Sequence, residues 1–97
     1  MNGARGEVAL RMDGADRRLC LTLGALAEIE TALGCTRISE LEIRLRALSA
    51  ADLLLVLAAL LRGGGETEAA SRLANAEVSA GEAAQAVAQA FRLGLAG

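Results

Sequence analysis

The chain has 97 residues, including 22 alanines and 18 leucines, and its ten arginines and twelve acidic residues give a formal net charge of −2. This length suits a single domain over residues 1–97, and the alanine and leucine content favours helices over strands. The chain contains neither histidine nor lysine, which removes the common bases of enzyme catalysis, and the absence of a basic excess argues against a nucleic-acid partner.

The first predicted element is a β-hairpin over about residues 6–22. Residues 7–12 alternate between apolar and polar side chains, which is the pattern of a strand with one buried face. The turn sequence Asp-Gly-Ala-Asp follows at 13–16, and the alternation resumes at Leu19 and Leu21. Because an isolated hairpin is only marginally stable in water, we expect its apolar face to pack on helices in an α+β fold.

Two helices are predicted next, over residues 23–33 and 38–48. Thr22 is placed to cap the first helix, and Gly34 is placed to end it. The second helix has apolar residues at helical spacing on one side: Ile38, Leu41, Leu45 and Leu48. Its other side carries acidic residues four positions before arginines, the spacing of ion pairs: Glu40 before Arg44 and Glu42 before Arg46.

The third predicted helix, over residues 50–62, is apolar on more than one side. Its core face consists of Leu53, Val56, Leu57 and Leu60. A second face contains Leu54, Ala58 and Leu61. Burial of a leucine is worth roughly 1.5–3 kcal/mol, so some structure is expected to cover this face. We predict that Leu54, Ala58 and Leu61 bind a partner, and the alternative is that other parts of the same chain cover them.

The carboxyl-terminal third begins with the glycine run 63–65, which predicts a helix end followed by a flexible connection. A short helix is predicted over 68–76. The last helix, over 80–94, begins after Ser79, which has capping-box spacing to Glu82. Its predicted apolar stripe comprises Ala84, Val87, Ala88, Phe91 and Leu95.

The sequence gives no positive signal for a cofactor, a metal or a small-molecule substrate. Two cysteines, Cys20 and Cys35, are too few for a zinc site, and without an amino-terminal leader they are expected to be reduced in the cytoplasm. The glycine run lacks the lysine of a phosphate-binding loop. The longest apolar run, residues 53–61, is too short to cross a bilayer. We therefore expect no enzyme and no membrane partner.

Several short stretches together resemble the small tail protein of bacterial gene transfer agents, which are phage-like particles. They are Gly-Glu-Val at 6–8, the Asp13-Gly14 turn, Leu-Thr-Leu-Gly-Ala-Leu-Ala-Glu-Ile-Glu at 21–30 and Leu-Arg-Gly-Gly-Gly at 61–65. They occur in order and at familiar spacing, and the resemblance covers roughly residues 6–95. That family is similar to phage tail assembly chaperones.

The resemblance implies a non-enzymatic protein made in the cytoplasm of the producing bacterium. As an assembly chaperone it would bind the tape measure protein during tail assembly, with the tail tube protein as a further partner. Members of the family have also been labelled tail tube components, so a structural tube or connector subunit is the alternative. A homo-oligomer is a further partner expectation. A small regulatory protein-interaction module is the second alternative. The resemblance transfers no catalytic or binding residue.

Overall fold

The structure, a computed structural model, describes residues 6–96. An antiparallel hairpin of β1 (Glu7–Met12) and β2 (Ala15–Cys20) precedes the helices. These are α1 (Leu23–Leu33), α2 (Ile38–Arg44), α3 (Ala50–Gly63), α4 (Thr67–Ser71) and α5 (Ala80–Ala96), with a 3₁₀ turn over Leu73–Asn75. The predicted fold class, an α+β fold with an amino-terminal hairpin and mainly helical content, is confirmed.

The hairpin turn follows from its two central residues. Asp13 and Gly14 both have positive φ, 54° and 78°, as the type I′ turn of a two-residue hairpin requires. The Asp13 N–H donates to the carbonyl oxygen of Glu77 at 3.0 Å, and the Glu77 N–H donates to Asp13 Oδ1 at 2.7 Å. These two bonds hold the turn against the segment that leads into α5.

The hydrophobic core lies between the apolar face of the hairpin and the helices, with α3 at its centre. α3 contacts β2, α1, α4 and α5. One cluster of buried side chains includes members from both strands and all five helices. The largest fully buried side chains are those of Met12, Leu19, Ile29, Leu41, Leu60, Leu61 and Val56. Because α3 has neighbours on several sides, more of its circumference is buried than a single stripe would allow.

Side-chain caps fix the starts of α1 and α3. Thr22 Oγ1 accepts the Ala25 N–H at 3.0 Å, and Gly34 ends α1 in the left-handed conformation at φ 71°. Ser49 Oγ accepts the Asp52 N–H at 3.1 Å. Each cap satisfies a backbone donor that the first turn of a helix leaves without a partner.

The α2 region departs from the prediction in length. α2 ends at Arg44 rather than at Leu48, because the backbone after Arg44 forms a tighter turn than an α-helix. The Ala47 N–H donates to the Arg44 carbonyl oxygen at 3.1 Å, a bond to the third preceding residue. This turn carries Leu45 and Leu48 towards the start of α3, where both pack partly buried against the core.

The predicted ion pairs along α2 are wrong for Arg44. Its guanidinium reaches away from Glu40 and donates to the Leu33 carbonyl oxygen at 2.6 Å and to Asp52 Oδ2 at 3.1 Å. Glu40 instead accepts the backbone N–H of Thr36 at 2.8 Å and its hydroxyl at 3.2 Å. These bonds from Thr36 lower the pKa of Glu40. Partners distant in sequence therefore decide where the Arg44 side chain binds, although Glu40 lies four residues before it.

The glycine run 63–65 forms a close contact rather than the predicted flexible connection. A Cβ on Gly63 would overlap the carbonyl oxygen of Cys20, and a Cβ on Gly64 would overlap that of Arg18. Gly65 turns the chain with φ 84°. The end of α3 thus packs directly on the outer edge of β2, which only glycine permits at these two positions.

Residues 66–78 contain two short elements where a single helix over 68–76 was predicted. α4 ends at Ser71, and the Arg72 N–H donates to the Ala69 carbonyl oxygen at 3.2 Å, which begins the tighter turn. Ala69, Ala70 and Leu73 are buried. Val78 packs partly buried against the same core, and α4 and the 3₁₀ turn both contact α3.

Candidate functional site

The predicted partner-binding residues of α3 lie in different environments. Leu61 is fully buried, with 0% of its surface exposed, so its predicted place on an exposed apolar face is wrong. The contacts of α3 on several sides enclose it in the core. Leu54 is 41% exposed, and its neighbour Leu55 is 47% exposed. Ala58 is half-buried. Leu54 and Ala58 are therefore what remains of that apolar face at the surface, and the exposed Leu55 lies beside them in sequence.

The larger candidate site is a groove between α5 and the segment Glu42–Leu48, with a volume of about 750 Å³. We call it the α5 groove. Its large apolar lining residues are Leu45, Leu48, Leu53, Val87, Phe91 and Leu95. Ala84 and Ala88 also line it, and these small side chains leave room for an occupant. The groove thus has a long apolar wall supplied by one face of a helix.

The rotation of α5 about its axis creates this wall. Its buried residues are Ala83, Ala86, Val87, Ala90 and Phe91. Within the predicted apolar stripe, Val87 and Phe91 are buried and Ala84, Ala88 and Leu95 are exposed, and all five residues line the groove. The core takes the side of α5 that faces the hairpin, so the remaining apolar residues face the groove.

The charged residues of the α5 groove are Glu42, Arg46 and Arg92. None of the three joins an ion pair with another residue of the range 6–96. Arg46 comes from the segment after α2 and Arg92 from α5, so the two arginines belong to different walls. An apolar groove with arginines on both walls suits an amphipathic helix that carries acidic side chains along its edges.

Among residues 6–96 there is no group of three or more Cys, Asp or Glu side chains arranged to hold a metal ion. Cys20 and Cys35 are both buried. Glu28 pairs with Arg62 of α3. No helix within this range is long and apolar enough to cross a membrane.

The groove residues were not predicted as a site, although their sequence carries a partial signal. Leu45 and Leu48 belong to the predicted apolar stripe of the second helix, and Ala88 belongs to that of the last helix. The pairing of these two segments depends on tertiary packing across about forty residues of chain. The partial signal is the composition of the last helix, which is rich in alanine and has one large aromatic residue, Phe91. Small side chains of this kind allow another helix to approach closely.

Comparison with known proteins identifies the family. No curated protein and no solved structure matches the chain. The sequence model of one family, described as phage tail tube protein, GTA-gp10, matches residues 5–97. This match covers nearly the whole sequence and agrees with the resemblance to gene transfer agent tail proteins. The chain belongs to the GTA-gp10 family of phage tail proteins.

Proposed function

We propose that this protein is a structural component of a phage-type tail, a subunit of the tail tube or its connector, and that it binds neighbouring tail proteins through the α5 groove. The observation that supports this role best is the family description, which names the tail tube. The resemblance placed an assembly chaperone first and the tube second, and the family description favours the tube. The role is non-enzymatic and is exercised in the cytoplasm of the producing cell.

The α5 groove supports such a role through its chemistry. Leu95 is 38% exposed, and Leu45, Leu48 and Leu53 are only partly buried by the core. Covering these side chains with a neighbouring subunit would remove further apolar surface from water, which favours association. Arg46 and Arg92 would then pair with acidic residues of the neighbour, which selects a partner and fixes its orientation.

Quantitative mass spectrometry of purified particles tests the structural role. A tube or connector subunit is expected at several copies per particle, in a fixed ratio to the other tail proteins. The lysate of the same cells serves as the reference. A chain that is abundant in the lysate and absent from intact purified particles would contradict the structural role.

A second candidate function is an assembly chaperone for the tape measure protein. The observation that favours it is the shape of the described fold, in which helices dominate and the α5 groove suits a helical segment. The exposed residues Leu54 and Leu55, with Ala58, would add a second apolar contact.

Co-expression with the tape measure protein tests this second role. A chaperone is expected to keep that protein soluble, and Leu54→Ser with Leu55→Ser is expected to lower the soluble fraction. The buried Leu61 is left intact because its substitution would disturb the core. Equal solubility with and without the wild-type chain would contradict the chaperone role.

A further inference from the structure

The two edges of the hairpin differ in how their backbone groups are satisfied. On the outer edge of β2, the Arg18 N–H donates to Glu66 Oε2 at 3.0 Å. The end of α3 covers the same edge through Gly63 and Gly64. The outer edge of β1 has no comparable cover in the described part of the chain. Exposed strand edges pair readily with other strands, so β1 is the open side of the sheet.

The register of the hairpin shows which backbone N–H and C=O groups of β1 point away from β2. Met12 and Ala15 flank the two-residue turn, and in this kind of hairpin the flanking residues exchange both hydrogen bonds. The alternation along β1 then directs the backbone N–H and C=O groups of Ala9 and Arg11 away from β2. Within residues 6–96 these groups have no hydrogen-bond partner.

The side chains of β1 are self-complementary. Antiparallel pairing of two β1 strands about a two-fold axis at Ala9 places Glu7 of each copy opposite Arg11 of the other copy. Two opposite-charge cross-strand pairs result, each of which stabilises a sheet. Each Arg11 guanidinium would then lie between Glu7 of the other copy and its own partner in the hairpin, Asp16 Oδ1, at 3.3 Å. Ala9 faces its own equivalent, so the centre of the interface carries no bulky side chain. Other registers lose this double pairing of charges.

The space beside the edge is also suited to a second copy. A shallow hollow of about 210 Å³ lies between β1 and α5, and its α5 wall carries Gln85, Gln89 and Glu82. Under two-fold symmetry the same wall would approach from the second copy. Glutamine amides both donate and accept hydrogen bonds, so these walls are compatible with each other.

We propose that β1 pairs with β1 of a second copy of this chain and forms a four-stranded antiparallel sheet of order β2-β1-β1-β2. The same surface patch is used on both copies, as a two-fold dimer requires. This inference rests on the backbone and charge pattern of β1 and does not depend on the tail role.

Sedimentation equilibrium of the full chain over a range of concentrations tests the proposal. Arg11→Glu and Glu7→Arg are each expected to weaken dimerisation at least about fivefold, because each variant replaces two attractive pairs by like-charge pairs. The double variant Glu7→Arg/Arg11→Glu is expected to restore dimerisation to within about twofold, since both pairs re-form with reversed sign. Arg37→Glu makes the same charge change at an exposed loop residue away from β1 and serves as the control.

A backbone test accompanies the charge test. Ala9→Pro removes the outward N–H and leaves the hydrogen bonds between β1 and β2 intact, so it is expected to abolish the dimer while circular dichroism stays unchanged. Hydrogen exchange at Ala9 and Arg11 is expected to slow as concentration rises. A chain that stays monomeric at every concentration, or a dimer that tolerates Ala9→Pro and both single charge variants, would overturn the proposal.

Discussion

Replacing Gly63 with alanine is expected to destabilise the fold, although it places a better helix former in α3. The new Cβ would overlap the carbonyl oxygen of Cys20 and lie 3.3 Å from the Cβ of Ala25. The overlapped atom belongs to backbone, so no side-chain rotation relieves it. Overpacking of this kind costs up to about 3 kcal/mol. The helix-propensity gain of alanine over glycine offsets up to about 1 kcal/mol, which leaves a net loss of about 2 kcal/mol.

Thermal unfolding followed by circular dichroism measures this loss. For a domain of this size, 1 kcal/mol corresponds to a shift of about 4–8 °C, so Gly63→Ala is expected to lower Tm by about 8–16 °C. Gly81 is the matched control, because it is also helical and only Ser79 Oγ, at 3.9 Å, lies near its missing Cβ. Gly81→Ala is expected to raise stability by about 0.5–1 kcal/mol. If Gly63→Ala stabilises the protein as Gly81→Ala does, the close contact between α3 and β2 is refuted.

Three further predictions concern single polar groups. Thr22→Ala removes a helix cap and is expected to cost about 1 kcal/mol in urea unfolding, with Thr22→Ser near wild type. Glu66→Ala leaves the Arg18 N–H without its acceptor and is expected to cost about 0.5–1.5 kcal/mol by the same assay. The pKa of Glu40 is lowered from 4.5 by bonds from Thr36, so its stabilisation is complete above pH 4.5 and disappears as pH falls through the lower folded-state value. Wild type is therefore expected to exceed Glu40→Gln in stability at neutral pH and to equal it in acid; a stability difference that does not change with pH would contradict this reasoning.

The parts of the fold that sequence predicts well are governed by neighbouring residues. The alternation along β1, the Asp13-Gly14 turn and the cap at Thr22 all act over a few residues, and each local signal has one stable outcome. These features give the hairpin and the start of α1. The same reasoning explains why the mainly helical α+β class was predictable.

The errors arise where a distant contact decides the outcome. Periodicity identifies the apolar faces of α3 but does not count its neighbours, so Leu61 was assigned to the surface. Arg44 has a carboxylate at ideal helical spacing in Glu40, yet it binds Leu33 and Asp52. In a sequence, a glycine indicates conformational freedom. Only the fold reveals that position 63 requires glycine because the backbone of β2 leaves no room for a Cβ atom.

The candidate site is the least predictable feature for the same reason. The α5 groove exists because α5 and the segment 42–48 lie side by side, and neither segment alone has a groove. Leu54 and Ala58 were accessible to sequence reasoning because they belong to a single helix. The partner role of these two residues stays a prediction.

The most direct test of the central claim, that tail construction depends on the α5 groove, is the number of tailed particles that electron microscopy counts in producing cells. Cells whose own copy of the gene is deleted would express the wild-type protein or one of two variants. Ala88→Arg fills the groove from an exposed position. Ala32→Arg makes the same change on the exposed side of α1 and is the control. We predict full numbers of tailed particles with wild type and Ala32→Arg, and a loss of at least about tenfold with a folded Ala88→Arg protein, the effect of about 1.4 kcal/mol of lost binding. Equal numbers of tailed particles with the two arginine variants would contradict the account.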